Sequence, residues 1–182
     1  GAVLLPDHPG QFGPRPAAPP IDAGMPPRRR ARRLVVVLGD QLDPHSAALD
    51  GFDPARDAVW MAEVRDESTH VWSHKARTAV FLAAMRHFRD ALAAKGYRVH
   101  YTELDAPANR GSLAAELDHA VRTLKPERLV AVEPGDYRVR QALRDTAAAA
   151  GVPLEERTDR HFLSTVAEFD AHAAGRTQLR LE

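Results

Sequence analysis

A chain of 182 residues has room for one ordinary domain with a real core and is too short for two large domains and a linker. Its 25 basic and 25 acidic side chains cancel, which excludes a global basic field for nucleic acid and an acidic excess of the disordered type, so any contact with DNA is local or lies elsewhere. The absence of cysteine removes disulfides, thiolate zinc sites, thiol nucleophiles and thiolate-ligated iron–sulfur clusters from this chain, and no apolar run approaches the ~20 residues that span a bilayer.

No membrane association is expected, and without a signal-peptide core at the N-terminus the expected compartment is the cytoplasm. Residues 1–27 hold eight of the fourteen prolines, at positions 6, 9, 14, 16, 19, 20, 26 and 27, and four glycines. Such a segment neither pairs into a sheet nor sustains a helix. With the basic run at 28–33 it predicts a disordered Pro/Arg-rich leader over residues 1–32, ahead of a folded unit at 33–182. The basic run reads either as a solvated collar before the first strand or as a contact for nucleic-acid phosphate. A chain that begins with Gly1, has Met25 as an alternative start and stops at Glu182 is expected to be a piece of something longer.

From residue 34 onward, short apolar runs alternate with longer helical stretches. The runs at 34–38, 58–64, 98–104, 128–133 and 153–157 read as strands, several of them near-continuously apolar, as parallel strands buried on both faces are. Val71, Phe81, Met85, Phe88 and Leu92 fall near helical spacing, with Gly96 where a C′ residue belongs. Leu113, Leu117, Val121 and Leu124 repeat the pattern between an N-cap at Ser112 and a stop at Pro126. A third helix is predicted over 137–150, closed by Gly151; a fourth opens on the capping box from Thr165 to Glu168 and closes at Gly175. Strand alternating with helix predicts an α/β fold, a Rossmann-like doubly wound parallel sheet of about five strands with flanking helices.

In such sheets ligands bind outside the carboxyl ends of the strands. Gly39, Asp40 and Gln41 end the most apolar strand there: the glycine permits a sharp exit, and the acid and amide offer an acceptor and a mixed donor/acceptor. Alternatively Asp40 caps a short helix or an Asx turn. Neither phosphate-binding glycine pattern is present, which removes most support for classical dinucleotide or ATP chemistry. After the second strand, a helix beginning near Glu67 would set Glu67, His70 and His74 on one face, open to three readings: a hydrogen-bonding wall for a polar heteroaromatic ligand, a metal site, or a first-turn carboxylate on the helix dipole. After the fourth, Glu133, Pro134 and Gly135 turn the chain at a helix start whose N–H groups could hold a ring or an anion, or simply make a corner. Arg138 and Arg140 read as a solvated helix face, Trp60 and Trp72 as core or core edge, and no serine has the nucleophile-elbow setting.

The long segment from "LVVVLGDQLDP" to "GYRVHYTEL", followed by "VEPGDYRVR" and "RTDRHFLST", resembles the N-terminal domain of the photolyase-related proteins, the iron–sulfur bacterial cryptochrome and prokaryotic (6-4) photolyase family of the cryptochrome/photolyase group. The resemblance runs from Arg33 to Glu182 and implies an α/β antenna domain holding 6,7-dimethyl-8-ribityllumazine as a light-harvesting chromophore. It implies that Gly39, Asp40, Gln41 and Glu67, and with them Glu133, Pro134 and Gly135, match segments around the antenna pocket. FAD, a 4Fe-4S cluster and the damaged-DNA pocket belong to the family's helical C-terminal part, which has no counterpart here. The expected function is thus chromophore binding within a light-dependent DNA repair enzyme or photoreceptor, not repair by this chain alone. The alternatives are a stand-alone, non-catalytic module for lumazine or a flavin-like molecule, and a small metal-dependent α/β hydrolase using Glu67, His70 and His74.

Overall fold

The computed structural model of the protein describes residues 30–66, 74–176 and 178. In chain order its elements are β1 (Arg33–Val36), a 3-10 turn (Ala47–Leu49), β2 (Ala58–Ala62), α1 (Lys75–Ala94), β3 (Val99–Thr102), α2 (Leu113–Leu124), β4 (Arg128–Val132), α3 (Tyr137–Ala150), β5 (Leu154–Arg157) and α4 (Val166–Ala173). All strand pairs are parallel, and the sheet order is β3-β2-β1-β4-β5. The five predicted strands are the five observed, each one to three residues shorter than its apolar run, because pairing frays where the loops diverge. Val37 N–H still donates to the Trp60 carbonyl at 3.0 Å beyond the end of β1.

The three central strands carry the core. Leu34, Val35 and Val36 of β1, Val59 and Met61 of β2 and Leu129 to Ala131 of β4 are almost wholly shielded from solvent. Because side chains alternate across a strand, Leu34 and Val36 pack with Leu117, Val121 and Leu143 of α2 and α3, while Val35 and Val37 pack with Met85, Phe88 and Leu92 of α1. The predicted α2 and α3 are found at their predicted limits, with Ser112 and Asp136 as N-caps. The helix α4 carries the predicted capping box between Thr165 and Glu168, yet none of its residues is buried. No helix among the described residues is long and apolar enough to cross a membrane.

In the described part of the basic run Arg30 is exposed, but Arg32 and Arg33 form neither a solvated collar nor an open phosphate site. Arg33 is buried and Ala31 completely so, which places Ala31 and Arg32 inside the fold, ahead of the boundary expected after residue 32. Arg32 forks onto Asp57 (Nε to Oδ1 2.9 Å, Nη2 to Oδ2 2.8 Å), and Arg33 reaches the same Oδ2 from Nη2 at 2.7 Å and the Asp50 carbonyl at 3.0 Å. Asp53 N–H adds a bond of 2.9 Å to that oxygen. Burial would raise the Asp57 carboxyl, but the two guanidinium groups and this N–H hold it far below the usual carboxylate range.

The residue closing α2, Lys125, sits in the left-handed region (φ 45°, ψ 55°), where Gly151 closes α3 at φ 65°. A side chain there costs about 1–2 kcal/mol, partly offset by the extra unfolded-state freedom of glycine. Lys125→Gly is therefore expected to raise stability by about 0.5–1 kcal/mol, read as a higher urea midpoint at unchanged m-value.

Candidate ligand-binding site

Strand order reverses direction between β1 and β4, so the loops after these strands part and leave a crevice at the carboxyl end of the sheet. Residues 38–41 make a tight turn, with Gln41 N–H donating to the Leu38 carbonyl at 3.0 Å. The Gln41 side chain then donates from Nε2 to the Glu133 carbonyl at 3.2 Å and ties the two loops together. Between them and α1 lies a cavity of about 210 Å³, whose lining includes Gly39, Asp40, Val64, Phe81, Met85 and Pro134.

Gly39 is required for a different reason from the one its position in the sequence suggests. Its φ is not in the left-handed region. Instead, a Cβ at this position would lie 2.5 Å from Phe81 Cζ and 2.9 Å from Met85 Sδ, so the glycine lets α1 side chains close over the turn. Asp40 is exposed at the rim and, among the described residues, has no hydrogen-bond partner, which excludes the capping and Asx-turn alternative there.

The other sequence candidates divide. Pro134 is buried in the crevice wall, whereas Glu133 and Gly135 line a neighbouring open groove toward β5. The Glu133 carboxylate accepts from Arg140 Nη2 at 2.6 Å, and Arg140 Nε also donates to Glu156 at 2.9 Å; Arg140 is thus a loop tie rather than a solvated helix face. The helix start after Gly135 is already served, because the Asp136 carboxylate accepts from Arg138 N–H at 2.7 Å. His74 lies outside α1 as its N-cap, with Nδ1 accepting from Ala76 N–H at 3.1 Å, so it does not share a helix face in the way expected. Glu67 and His70, like Val71 and Trp72, lie outside the described residues.

Glu63 is the residue that sequence reasoning passed over. It follows β2 as Asp40 follows β1, an acid at the end of an apolar run, and it lines the same cavity while almost completely buried. Arg86 of α1 binds it bidentately, Nε to Oε1 at 2.7 Å and Nη2 to Oε2 at 2.8 Å. Tyr101 O–H donates to Oε1 at 2.6 Å and Leu104 N–H to Oε2 at 2.8 Å. Burial would raise this carboxyl; the Arg86, Tyr101 and Leu104 donors lower it below its ordinary value. The Tyr101 hydroxyl is pushed up by burial and by its bond to Glu63. Asn109 extends the network, donating from Nδ2 to the carbonyls of Glu63 at 2.7 Å and Glu103 at 2.8 Å. The carboxylate therefore ties β2, β3 and α1 around the crevice floor.

These features define a parallel α/β domain with an apolar slot at the switch point, acids on its rim and no phosphate-binding glycine loop. Residues 35–182 match the family model described as deoxyribodipyrimidine photo-lyase-related protein, and the chain belongs to that family. It is also similar to the (6-4) photolyase of Agrobacterium fabrum, with 44% identity over 150 residues that make up 82% of this chain and 30% of that protein. The chain thus spans less than a third of the length of this curated relative.

Proposed function

We propose that the crevice between the β1 and β4 loops binds a light-harvesting chromophore, 6,7-dimethyl-8-ribityllumazine, and that the chain serves as the antenna portion of a light-dependent DNA repair enzyme or photoreceptor. The observation that carries this reading is the slot itself: apolar walls from Val64, Phe81 and Met85, the last two packed closely on Gly39, with Asp40 at the mouth and the buried Glu63 in the lining already paired internally. That is the lining a flat, partly polar heterocycle needs. A volume of about 210 Å³ is below the ~300 Å³ at which drug-sized sites begin, so the slot suits the fused ring and leaves the ribityl chain at the rim near Asp40. Gln41 and Pro134 hold the walls in register, and Glu67 is assigned to the same site through the family resemblance. A bound lumazine supplies light absorption and transfer of excitation to a flavin. An iron–sulfur cluster does not fit this chain, which has no cysteine to ligate it. Flavin, cluster and damaged DNA are assigned to the part of the family's length that this chain does not span.

Titration of the purified chain with the lumazine, followed by its fluorescence, tests the reading. Gly39→Leu is expected to abolish binding, because the new side chain occupies the slot. Asp40→Ala and Glu67→Ala are each expected to weaken it by roughly 1–3 kcal/mol, the penalty for stranding a polar partner. Unchanged affinity in all three variants, with circular dichroism intact, would remove the crevice as the site.

A further inference from the structure

The balanced charge of the chain is unevenly placed. Four neighbouring strands, β3, β2, β1 and β4, are each entered through basic residues: Arg98 precedes β3, Arg56 lies just before β2, Arg30 and Arg32 lead into β1, and Arg128 opens β4. With strands about 4.8 Å apart, these side chains spread over roughly 15 Å of the amino end of the sheet. Lys95 and Lys125 close α1 and α2 at the same end, because each precedes the start of the next strand. Arg30 Nε donates to the Lys125 carbonyl at 2.9 Å and Arg32 N–H to the Arg56 carbonyl at 2.8 Å, which fixes these loops against one another.

Most arginines elsewhere in the described chain bind a carboxylate, as Arg86 binds Glu63, Arg122 binds Asp118 and Arg160 binds Asp50. Arg30, Arg56, Lys95 and Lys125 are exposed and have no carboxylate partner among the described residues. Helix dipoles favour Lys95 and Lys125 where they stand, but Arg30 and Arg56 close no helix. The acids of this end are mostly engaged: Asp57 is buried between Arg32 and Arg33, Glu155 pairs with Arg128 and Arg157, and Asp53 accepts from the Ala55 N–H at 3.0 Å. Glu127 is left as the exposed counter-charge. Arg28 and Arg29 precede Arg30 in the sequence and add to the same positive charge.

We infer that the amino end of the sheet, opposite the crevice, is a sequence-independent contact for the phosphodiester backbone of duplex DNA. A duplex carries one negative charge per ~1.7 Å of its axis, so a cation row of this width meets several phosphates at once. Other anionic surfaces fit it less well. A membrane contact needs an apolar face to insert, and the large exposed apolar side chains, such as Phe81, Phe162 and Phe169, follow the carboxyl ends of strands instead. Single-stranded nucleic acid needs free aromatic faces, whereas Phe52 and Tyr97 at this end stack on each other with ring centroids 4.2 Å apart. The contact rests on the placement of charge and not on the chromophore, so its test and the lumazine titration can fail independently.

Fluorescence anisotropy of a labelled, undamaged DNA duplex, titrated with the 182-residue chain, tests it. Neutralising about four phosphates makes the affinity fall roughly tenfold between about 50 and about 100 mM sodium chloride. Arg56→Gln with Lys125→Gln is expected to weaken binding at the lower salt and to cut the salt effect to about threefold. Lys75→Gln with Arg77→Gln removes the same charge from exposed positions at the start of α1 and should leave affinity and salt effect unchanged. All four side chains are exposed, and circular dichroism checks that both variants fold. Absence of binding at the lower salt, or equal losses in the two double variants, overturns the proposal. Binding to phosphatidylserine vesicles as tight as to the duplex makes a membrane the partner and also overturns it.

Discussion

Asp57→Ala is expected to lower the stability of the folded chain by about 3–5 kcal/mol. The carboxylate is wholly buried, and it is the common anion for Arg32 and Arg33, the latter itself buried. Removing it leaves a guanidinium desolvated beside β1 with only carbonyl partners at Asp50 and Gly51. Breaking a buried ion pair from one side in this way costs far more than an exposed pair contributes. The site lies where β1 and β2 begin, so the loss falls on the two most buried strands rather than on a peripheral loop. The measurable result is a drop in melting temperature of roughly 10 °C, with Asp57→Asn restoring little, because an amide offers one acceptor oxygen to five donor nitrogens from Arg32, Arg33 and Asp53. The pH dependence has a fixed sign: a carboxyl lowered in the folded state contributes stability that is present above its unfolded value of about 4 and is lost as pH falls below it. Acid titration of the wild type should therefore show a steep loss below about pH 4 that Asp57→Asn flattens. A variant with unchanged melting temperature would mean that Arg32 and Arg33 find other partners.

Most of the architecture is legible in the sequence because burial on both faces of a parallel strand writes itself as a continuous apolar run. Leu34 to Leu38 and Leu129 to Val132 could hardly be anything else. The caps of α2 and α4 are equally legible, since Ser112 and Thr165 act through bonds to their own backbone a few residues away, whereas the reading of an open helix start after Gly135 misses the Asp136 cap of α3. What spacing does not reveal is what lies far apart in the chain. The Arg32–Asp57 and Arg86–Glu63 pairs span more than twenty positions each, and nothing local distinguishes the buried Arg33 from the exposed Arg30. The reason for Gly39 is likewise non-local, because the side chains that need its missing Cβ come from α1. At the site, the strand-end rule finds Asp40 and Pro134, and the same rule applied to Ala62-Glu63-Val64 would have found Glu63. Glu133 and Gly135 follow the same strand end but face away from the slot, because Arg140 draws the Glu133 carboxylate toward β5.

Two of the three carboxylates buried among the described residues divide the labour between the ends of the sheet: Asp57 closes the amino end, and Glu63 shapes the carboxyl end where the ligand is proposed to sit. Glu63→Ala should cost about 3 kcal/mol. It strands the Tyr101 hydroxyl and the Leu104 N–H, while Arg86, more than a third exposed, can swing to water and limit the loss. Glu63→Gln should recover only part of this, because Arg86 donates to both oxygens and the amide nitrogen meets one of its N–H groups in either orientation. Loss of the carboxylate also releases Arg86 of α1 and the Leu104 N–H from the end of β2, so Val64 and Met85 no longer bound a fixed slot. Lumazine affinity is expected to fall with stability, by roughly tenfold or more, even though all four donors to Glu63 are internal and leave it no oxygen free for a ligand. The double substitution with Arg86→Met separates the contributions: a coupling energy of 0.5–3 kcal/mol marks the pair as one unit. Parallel loss of stability and affinity would identify Glu63 as a positioning residue. Loss of affinity at unchanged melting temperature would instead put its carboxylate in contact with the chromophore.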